Sequence, residues 1–337
     1  MDVPRERAIE RVRELLESAG FYVSDAHSIR PTSFDLMARR DSLLLIIKIL
    51  KNIDALDPGE AERLRALGAL FPAVPILVGQ ASGATELQPG VVYNRHGIPI
   101  LVEESLREYF LQGIPPFLFS SPGGIFVRID GARLHALREQ RALSLGALAG
   151  VAGVSRRTIQ LYEEGTGAEV AVVQRLETYL GEPIAMPIDI FPTPSRPRAA
   201  RDDRAEEPQE EHLLEGPADS VPRTGNPLRD GVLRQLDGMG WHVVVTIRCP
   251  FDAFTRGPVR TEDEIVLTSV GSLRAAQHRA EVLQQLARVA EGHALFVVRD
   301  DAPRRSIDGL VVLSVRELKR QRDPDELFET IVERENT

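Results

Sequence analysis

The sequence predicts a multidomain chain, α/β at both ends and all-α between, and three observations carry that prediction. Short aliphatic runs the length of buried strands alternate with helical stretches before residue 113 and again after residue 240. Residues 132–183 instead repeat apolar side chains at spacings of three to six, the pattern of short packed helices. Residues 192–227 hold seven prolines and dense charge, with Leu213 and Leu214 almost the only apolar side chains, and read as a linker. At 337 residues the chain is also too long for one ordinary domain.

Residues 1–113 make the first α/β domain. Ile9, Val12, Leu15 and Leu16 line one face of a helix over 4–19, which Gly20 stops. Strands follow at Phe21–Val23 and, after Pro31, at Phe34–Ala38. Five consecutive aliphatic residues, Leu43–Ile47, end at Lys48 and read as a central strand buried on both faces. A helix fits 57–70 and a second buried strand 73–79. Residues 91–94 and 98–102 are extended, and a helix over 103–110 closes the domain. Residues 114–130 form a β-hairpin connector, with FLF and IFV flanking a Ser-Pro-Gly-Gly turn.

In the central segment, 131–191, Leu134, Leu137, Leu143, Leu148, Ala149, Val154, Ile159 and Tyr162 point inward. Ser144 and Ser155 are the N-caps of two successive helices, and Gly153 gives the tight turn between them. On the helix from Ser155 to Glu164, Ile159 and Tyr162 face the core. Arg156, Arg157 and Gln160 are left outside, with Thr158 beside them. The residues LREQRALS (137–144), LAGVAGVSRRTIQLYEEG (148–165) and VVQRLETYLGEPI (172–184) resemble the Cro/C1 helix-turn-helix family. One departure is Leu145, where the family carries a polar residue, often Gln. The resemblance implies that the second helix enters the major groove of double-stranded DNA by its N-terminal part. Arg156, Arg157 and Gln160 then read bases, Thr158 touches a thymine methyl, and Arg133, Arg138, Ser144 and Ser155 meet the backbone. A helical packing module that binds no DNA would share the apolar pattern. Charge favours the first reading: residues 131–160 hold five arginines against Glu139, a local +4 on a chain whose net charge is −9.

The last segment, 228–337, repeats the logic of the first. Gly20-Phe21-Tyr22-Val23 returns as Gly240-Trp241-His242-Val243, and Phe34-Asp35 with Arg39 returns as Phe251-Asp252 with Arg256. A helix over 228–238, a strand over 264–270, a helix over 272–290 and strands over 294–300 and 309–314 complete it. A short strand, 186–191, is left to pair with the hairpin or with a second copy of the chain.

Both α/β units resemble the restriction-endonuclease-like fold of PD-(D/E)xK nucleases, in degenerate form. The resemblance implies an Asp at a strand start, and an acid and a Lys two apart on the next strand, holding Mg²⁺. Asp35 and Lys48 fit, but the second acid's place is Ile46. In the later copy Asp252 is present, but Val266 and Thr268 occupy the places of the second acid and the Lys. Asp35 and Asp252 then pair with Arg39 and Arg256, or with Arg30 and Arg248. No catalytic residue, metal site or cofactor is expected: the seven histidines lack ligand spacing, and no phosphate-cradling glycine loop occurs. The single Cys249 excludes an internal disulfide and a zinc ribbon and fits a reducing cytoplasm. No apolar run approaches the roughly 20 residues of a membrane span.

The order α/β unit, Cro/C1-like module, charged linker and second α/β unit resembles an archaeal family of HTH-type transcriptional regulatory proteins. That resemblance implies a DNA-binding regulator. A single small reading head further suggests a homodimer on a near-palindromic site, with an effector or a component of the transcription machinery as a further partner. A diverged nuclease and a protein-interaction adaptor are the alternatives.

Overall fold

The computed structural model describes residues 3–25, 32–191, 223–257, 264–299 and 305–335. Most of the predicted linker, 192–227, lies outside them, as does Arg30.

The chain opens with α1 (Val3–Ser18), whose inward face is Ile9, Val12, Leu15 and Leu16 as the spacing predicts. Three antiparallel strands follow, β1 (Tyr22–Asp25), β2 (Leu36–Arg40) and β3 (Leu43–Asn52). β3 is buried from Leu44 to Ile49, Lys48 included. Next come α2 (Pro58–Leu70), β4 (Val74–Ser82), β5 (Thr85–Glu86), β6 (Val91–Arg95), β7 (Ile98–Leu101) and α3 (Glu103–Gln112). The hairpin is β8 (Leu118–Ser121) and β9 (Gly124–Ile129). Gly123 and Gly124 take φ of 104° and 147° at its turn, where a side chain is disfavoured.

Four helices make the central module: α4 (Gly131–Gln140), α5 (Leu145–Ala152), α6 (Arg156–Glu163) and α7 (Val170–Leu180). The two-residue strands β10 (Ala168–Glu169) and β11 (Ala185–Met186) both pair with β9. The C-terminal part holds α8 (Pro227–Gly238), β12 (His242–Val245), β13 (Ala253–Arg256), β14 (Ile265–Gly271) and α9 (Leu273–Ala290). It ends with β15 (His293–Val298), β16 (Ser306–Ile307), β17 (Leu310–Ser314), α10 (Val315–Leu318) and α11 (Pro324–Glu335).

Contacts group these elements into two compact units that cut across the predicted segments. One contains the described residues of 3–49, 58–75 and 223–335. Its larger sheet has the order β12-β13-β14-β15-β17-β16, antiparallel at both edges and parallel from β14 through β15 to β17. α9 covers β14 and β15 and also lies against β1 and β2. Arg39 on β2 pairs with Glu291 just past α9, at 3.0 Å. Phe71, after α2, meets Phe254 of β13 edge-on, ring centroids 5.1 Å apart.

The other unit contains residues 50–57 and 76–191. Its strands follow the order β4-β7-β6-β8-β9. The hairpin continues a sheet, through the parallel pairing of Val91 with Leu118. Of the strand expected over 186–191, Met186 alone pairs, together with Ala185, on β9. Pro187 has no N–H to carry the ladder on.

The opening strands of the N- and C-terminal parts share one hydrogen-bond frame. Asp35 N–H donates to Ile47 C=O at 2.8 Å, and Asp252 N–H to Thr268 C=O at 2.9 Å. In this register Leu267 and Ser269 occupy the positions that correspond to Ile46 and Lys48. The sequence expectation of Val266 and Thr268 is corrected by one residue, a slip that moves each side chain to the other sheet face.

Candidate nucleic-acid interface

The core of the central module is Leu134, Leu137, Leu148, Ala152, Ile159, Tyr162, Val173, Leu176, Leu180 and Ile184, all buried. Each of the first three helices is capped by a short polar side chain. Asp130 accepts from Arg133 N–H at 2.9 Å, Ser144 from Ala147 N–H at 3.1 Å, and Ser155 from Thr158 N–H at 3.0 Å. Gly153 ends α5 in the left-handed region, φ 71°, as the turn between α5 and α6 demands. Arg175 of α7 donates twice to Ala152 C=O, at 2.6 and 3.1 Å, and satisfies the end of α5.

On α6 the spacing places its residues as predicted. Ile159 and Tyr162 are buried, while Arg156, Arg157 and Gln160 are exposed. Thr158 is half-buried, and its hydroxyl bonds the Ser155 hydroxyl at 2.8 Å, so it reinforces the cap. Among the described residues Arg156 and Arg157 make no hydrogen bond or ion pair.

Arg138, predicted at a phosphate, has partners inside the module. Its Nε donates to Glu163 Oε1 at 2.6 Å and its Nη2 to Glu163 Oε2 at 3.2 Å, and both side chains are only 11% exposed. His135 Nδ1 lies 2.9 Å from the same carboxylate. The pair ties α4 to the end of α6. Burial alone would push the Glu163 carboxyl up. Hydrogen bonds from Arg138 and His135 outweigh it and hold the group below its ordinary value. Arg133 pairs with Glu182 at 2.7 Å and keeps 46% exposure.

Two glycines of this region were not singled out by the sequence pattern. A Cβ on Gly131 would strike Glu163 O, and Gly165 N at 2.7 Å, so the start of α4 sits directly on the backbone at the end of α6. A Cβ on Gly146 would lie 3.0 Å from Arg156 Nε.

The nuclease-like positions are satisfied internally. Asp35 is fully buried; it accepts from Arg5 Nη2 at 2.7 Å and from Ile49 N–H at 2.8 Å. Asp252 repeats the arrangement, pairing with Arg229 at 2.8 Å and accepting from Val270 N–H at 2.8 Å. The expected partners Arg39, Arg256 and Arg248 are not those used. The true ones stand on the preceding helices, too far back in sequence for spacing to reveal. Lys48 pairs with Glu60 of α2 at 2.8 Å. These groups do not fit a Mg²⁺ site: Asp35 is bonded to a guanidinium and an amide, and Ile46 is apolar. Among the described residues no group of three or more His, Cys, Asp or Glu could hold a metal ion. No described helix is long and apolar enough to cross a membrane.

Family models match two segments of the chain. A helix-turn-helix domain matches residues 131–186 and a PD-(D/E)XK superfamily domain matches residues 5–116. The class defined is a helix-turn-helix protein carrying a PD-(D/E)XK-type α/β domain. The chain is 35% identical to a "Putative HTH-type transcriptional regulatory protein" of Halorubrum lacusprofundi, over 98% of this chain and 97% of the relative. Proteins of the same name from Halobacterium salinarum, 37% identical over 98% of both chains, and Methanocella arvoryzae, 33% identical over 98% and 97%, match equally end to end. The chain belongs to this family of HTH-type transcriptional regulatory proteins. No solved structure matches it.

Proposed function

We propose that the chain is a sequence-specific transcriptional regulator that reads double-stranded DNA through a Cro/C1-type helix-turn-helix, as a homodimer. The observation that carries this is the exposed pair Arg156 and Arg157 in the first turn of α6. A helix N-terminus is positive, so cations there oppose helix stability, by about 0.3–1 kcal/mol each at a surface. α1, α2, α3, α8, α10 and α11 place acids in their first turns, whereas α4 to α7 and α9 place none, and α6 sets two arginines there. The choice that weakens α6 alone favours a polyanion, and its charge adds to the dipole's.

In this reading Arg157 and Gln160 meet base edges and Arg156 stands beside them. Arg133 is the exposed candidate for a phosphate. Ser144, Ser155 and Thr158 act through the caps that aim α5 and α6. Arg138 is a strut. One reading helix covers one half-site, and two half-sites about 34 Å apart call for a second copy. The α/β parts are, in this reading, diverged PD-(D/E)XK units related by duplication. Support comes from the repeated Arg–Asp–amide arrangement at Asp35 and Asp252. Their acids are engaged, which favours a non-catalytic role.

The test is selection of bound fragments from a random DNA pool at one stated salt concentration, with Arg156→Ala/Arg157→Ala in parallel. Enrichment of a two-fold symmetric motif by the wild type alone is expected. Enrichment by neither removes the reading. Mg²⁺-dependent cleavage lost in Asp35→Ala would put the nuclease in its place.

A further inference from the structure

We propose that Gly146 is a positioning residue for DNA recognition: its bare Cα seats the Arg156 guanidinium across the first turn of α5. The inference rests on the regulator reading and deepens it. The three atoms nearest a Cβ at Gly146 all belong to Arg156: Nε at 3.0 Å, Nη2 at 3.2 Å and Cζ at 3.4 Å. Nε and Nη2 lie nearer than Cζ, so the guanidinium turns its Nε–Nη2 edge toward the glycine. A Cβ there would push the guanidinium back by a few tenths of an ångström.

Gly146 has no conformational reason to be glycine. It lies within helical α5, where glycine is a poorer helix former than alanine. Among the described residues the Arg156 side chain is exposed and makes no hydrogen bond or ion pair. No glycine among those described has Arg157 among the nearest atoms to its Cβ position. The two arginines therefore differ: Arg156 is laid back toward α5, and Arg157 is free to extend from α6. Guanidinium donors form a planar fork, so an Nε–Nη2 edge turned to Gly146 sets which donors Arg156 presents to a phosphate or base edge. The neighbouring Gly150, in the same helix, has nothing within 4 Å of its Cβ position. It supplies a matched control.

The experiment compares Gly146→Ala, Gly150→Ala, Arg156→Ala and Gly146→Ala/Arg156→Ala in the full chain, on the motif the wild type selects. Both glycine variants keep or raise the thermal midpoint, since alanine favours the helix. Gly150→Ala binds as the wild type does. Gly146→Ala binds roughly tenfold more weakly, or loses preference at one base position. The double variant is no weaker than Arg156→Ala, because the glycine acts only through the arginine. Wild-type affinity and preference in Gly146→Ala, or additive losses in the double variant, would overturn the proposal while the regulator reading stands. A readout without DNA separates the two further. The Arg156 Nε–H resonance sits apart from free arginine in the wild type and moves to the free position in Gly146→Ala; a free position already in the wild type also overturns it. A wild type that selects no motif removes the regulator reading and this proposal with it.

Discussion

Arg157 leaves the first turn of α6 without a hydrogen bond or ion pair among the described residues, so removing it costs the fold little. Arg157→Ala is expected to lose about 1–3 kcal/mol of binding and to relax preference at one base position. Selection at fixed salt checks this; a uniform loss across sequences would make Arg157 a phosphate contact. Glu163 is the opposite kind of residue, ionised and enclosed. Its folded pKa is held low by Arg138 and His135, so its contribution is present above the ordinary glutamate value of about 4.3 and fades as pH falls through the folded value. Melting the wild type and Glu163→Gln from neutrality to acid should show the largest gap near pH 7, closing on acidification. A constant gap would mean the charge contributes nothing. The sequence showed Arg156, Arg157 and Gln160 as outward because a 3.6-residue period fixes them against Ile159 and Tyr162. It could not show Arg138 bonded to Glu163, 25 residues on, since both types usually face water.

Elements were legible where the local code is strong. Ser144, Gly153 and Ser155 mark the ends of α5 and α6 through their own chemistry, and Leu43–Ile47 marks a strand buried on both faces. What stayed hidden was backbone-to-backbone approach. Gly131 reads as an ordinary residue before a helix, yet its Cβ position is taken by the chain at Glu163 and Gly165. The two kinds of position predict different losses. Ser155→Ala removes a cap and should cost about 1 kcal/mol, with α6 fraying. Gly131→Ala forces α4 away from α6 and should cost about 1–3 kcal/mol, since rigid backbone on both sides cannot yield as a side chain tip would. Denaturant midpoints at constant slope measure both. A smaller loss for Gly131→Ala than for Ser155→Ala would show that the α4–α6 junction can open freely. The hairpin and the strand over 186–191 were legible only in part, because strand pairing depends on partners distant in sequence and on a single missing N–H at Pro187.

At the scale of the molecule, the likeness of the opening strands of the N- and C-terminal parts was legible as a pattern, but not the way the two parts come together. In the first compact unit, α9 covers β1 and β2, while Phe71 of the N-terminal part enters between Phe251 and Phe254, at 6.0 and 5.1 Å. Each part thus supplies apolar surface that closes the other, and Arg39 binds the end of α9. Segments joined this way should open together rather than one after the other. Phe71 is 4% exposed, so Phe71→Ala removes a buried ring that no flexible neighbour can replace, a loss of about 3–5 kcal/mol. Because the ring belongs to both parts, the cost should appear in both. Amide hydrogen exchange in Phe71→Ala is expected to speed up in β1–β3 and in β12–β14 by a similar factor. Faster exchange confined to residues 58–75 would mean that the two parts fold independently and merely touch. Faster exchange in both would make the repeated α/β parts a single cooperative body, formed within one chain. The face that α9 covers would then already be taken, and a second copy would have to dock elsewhere.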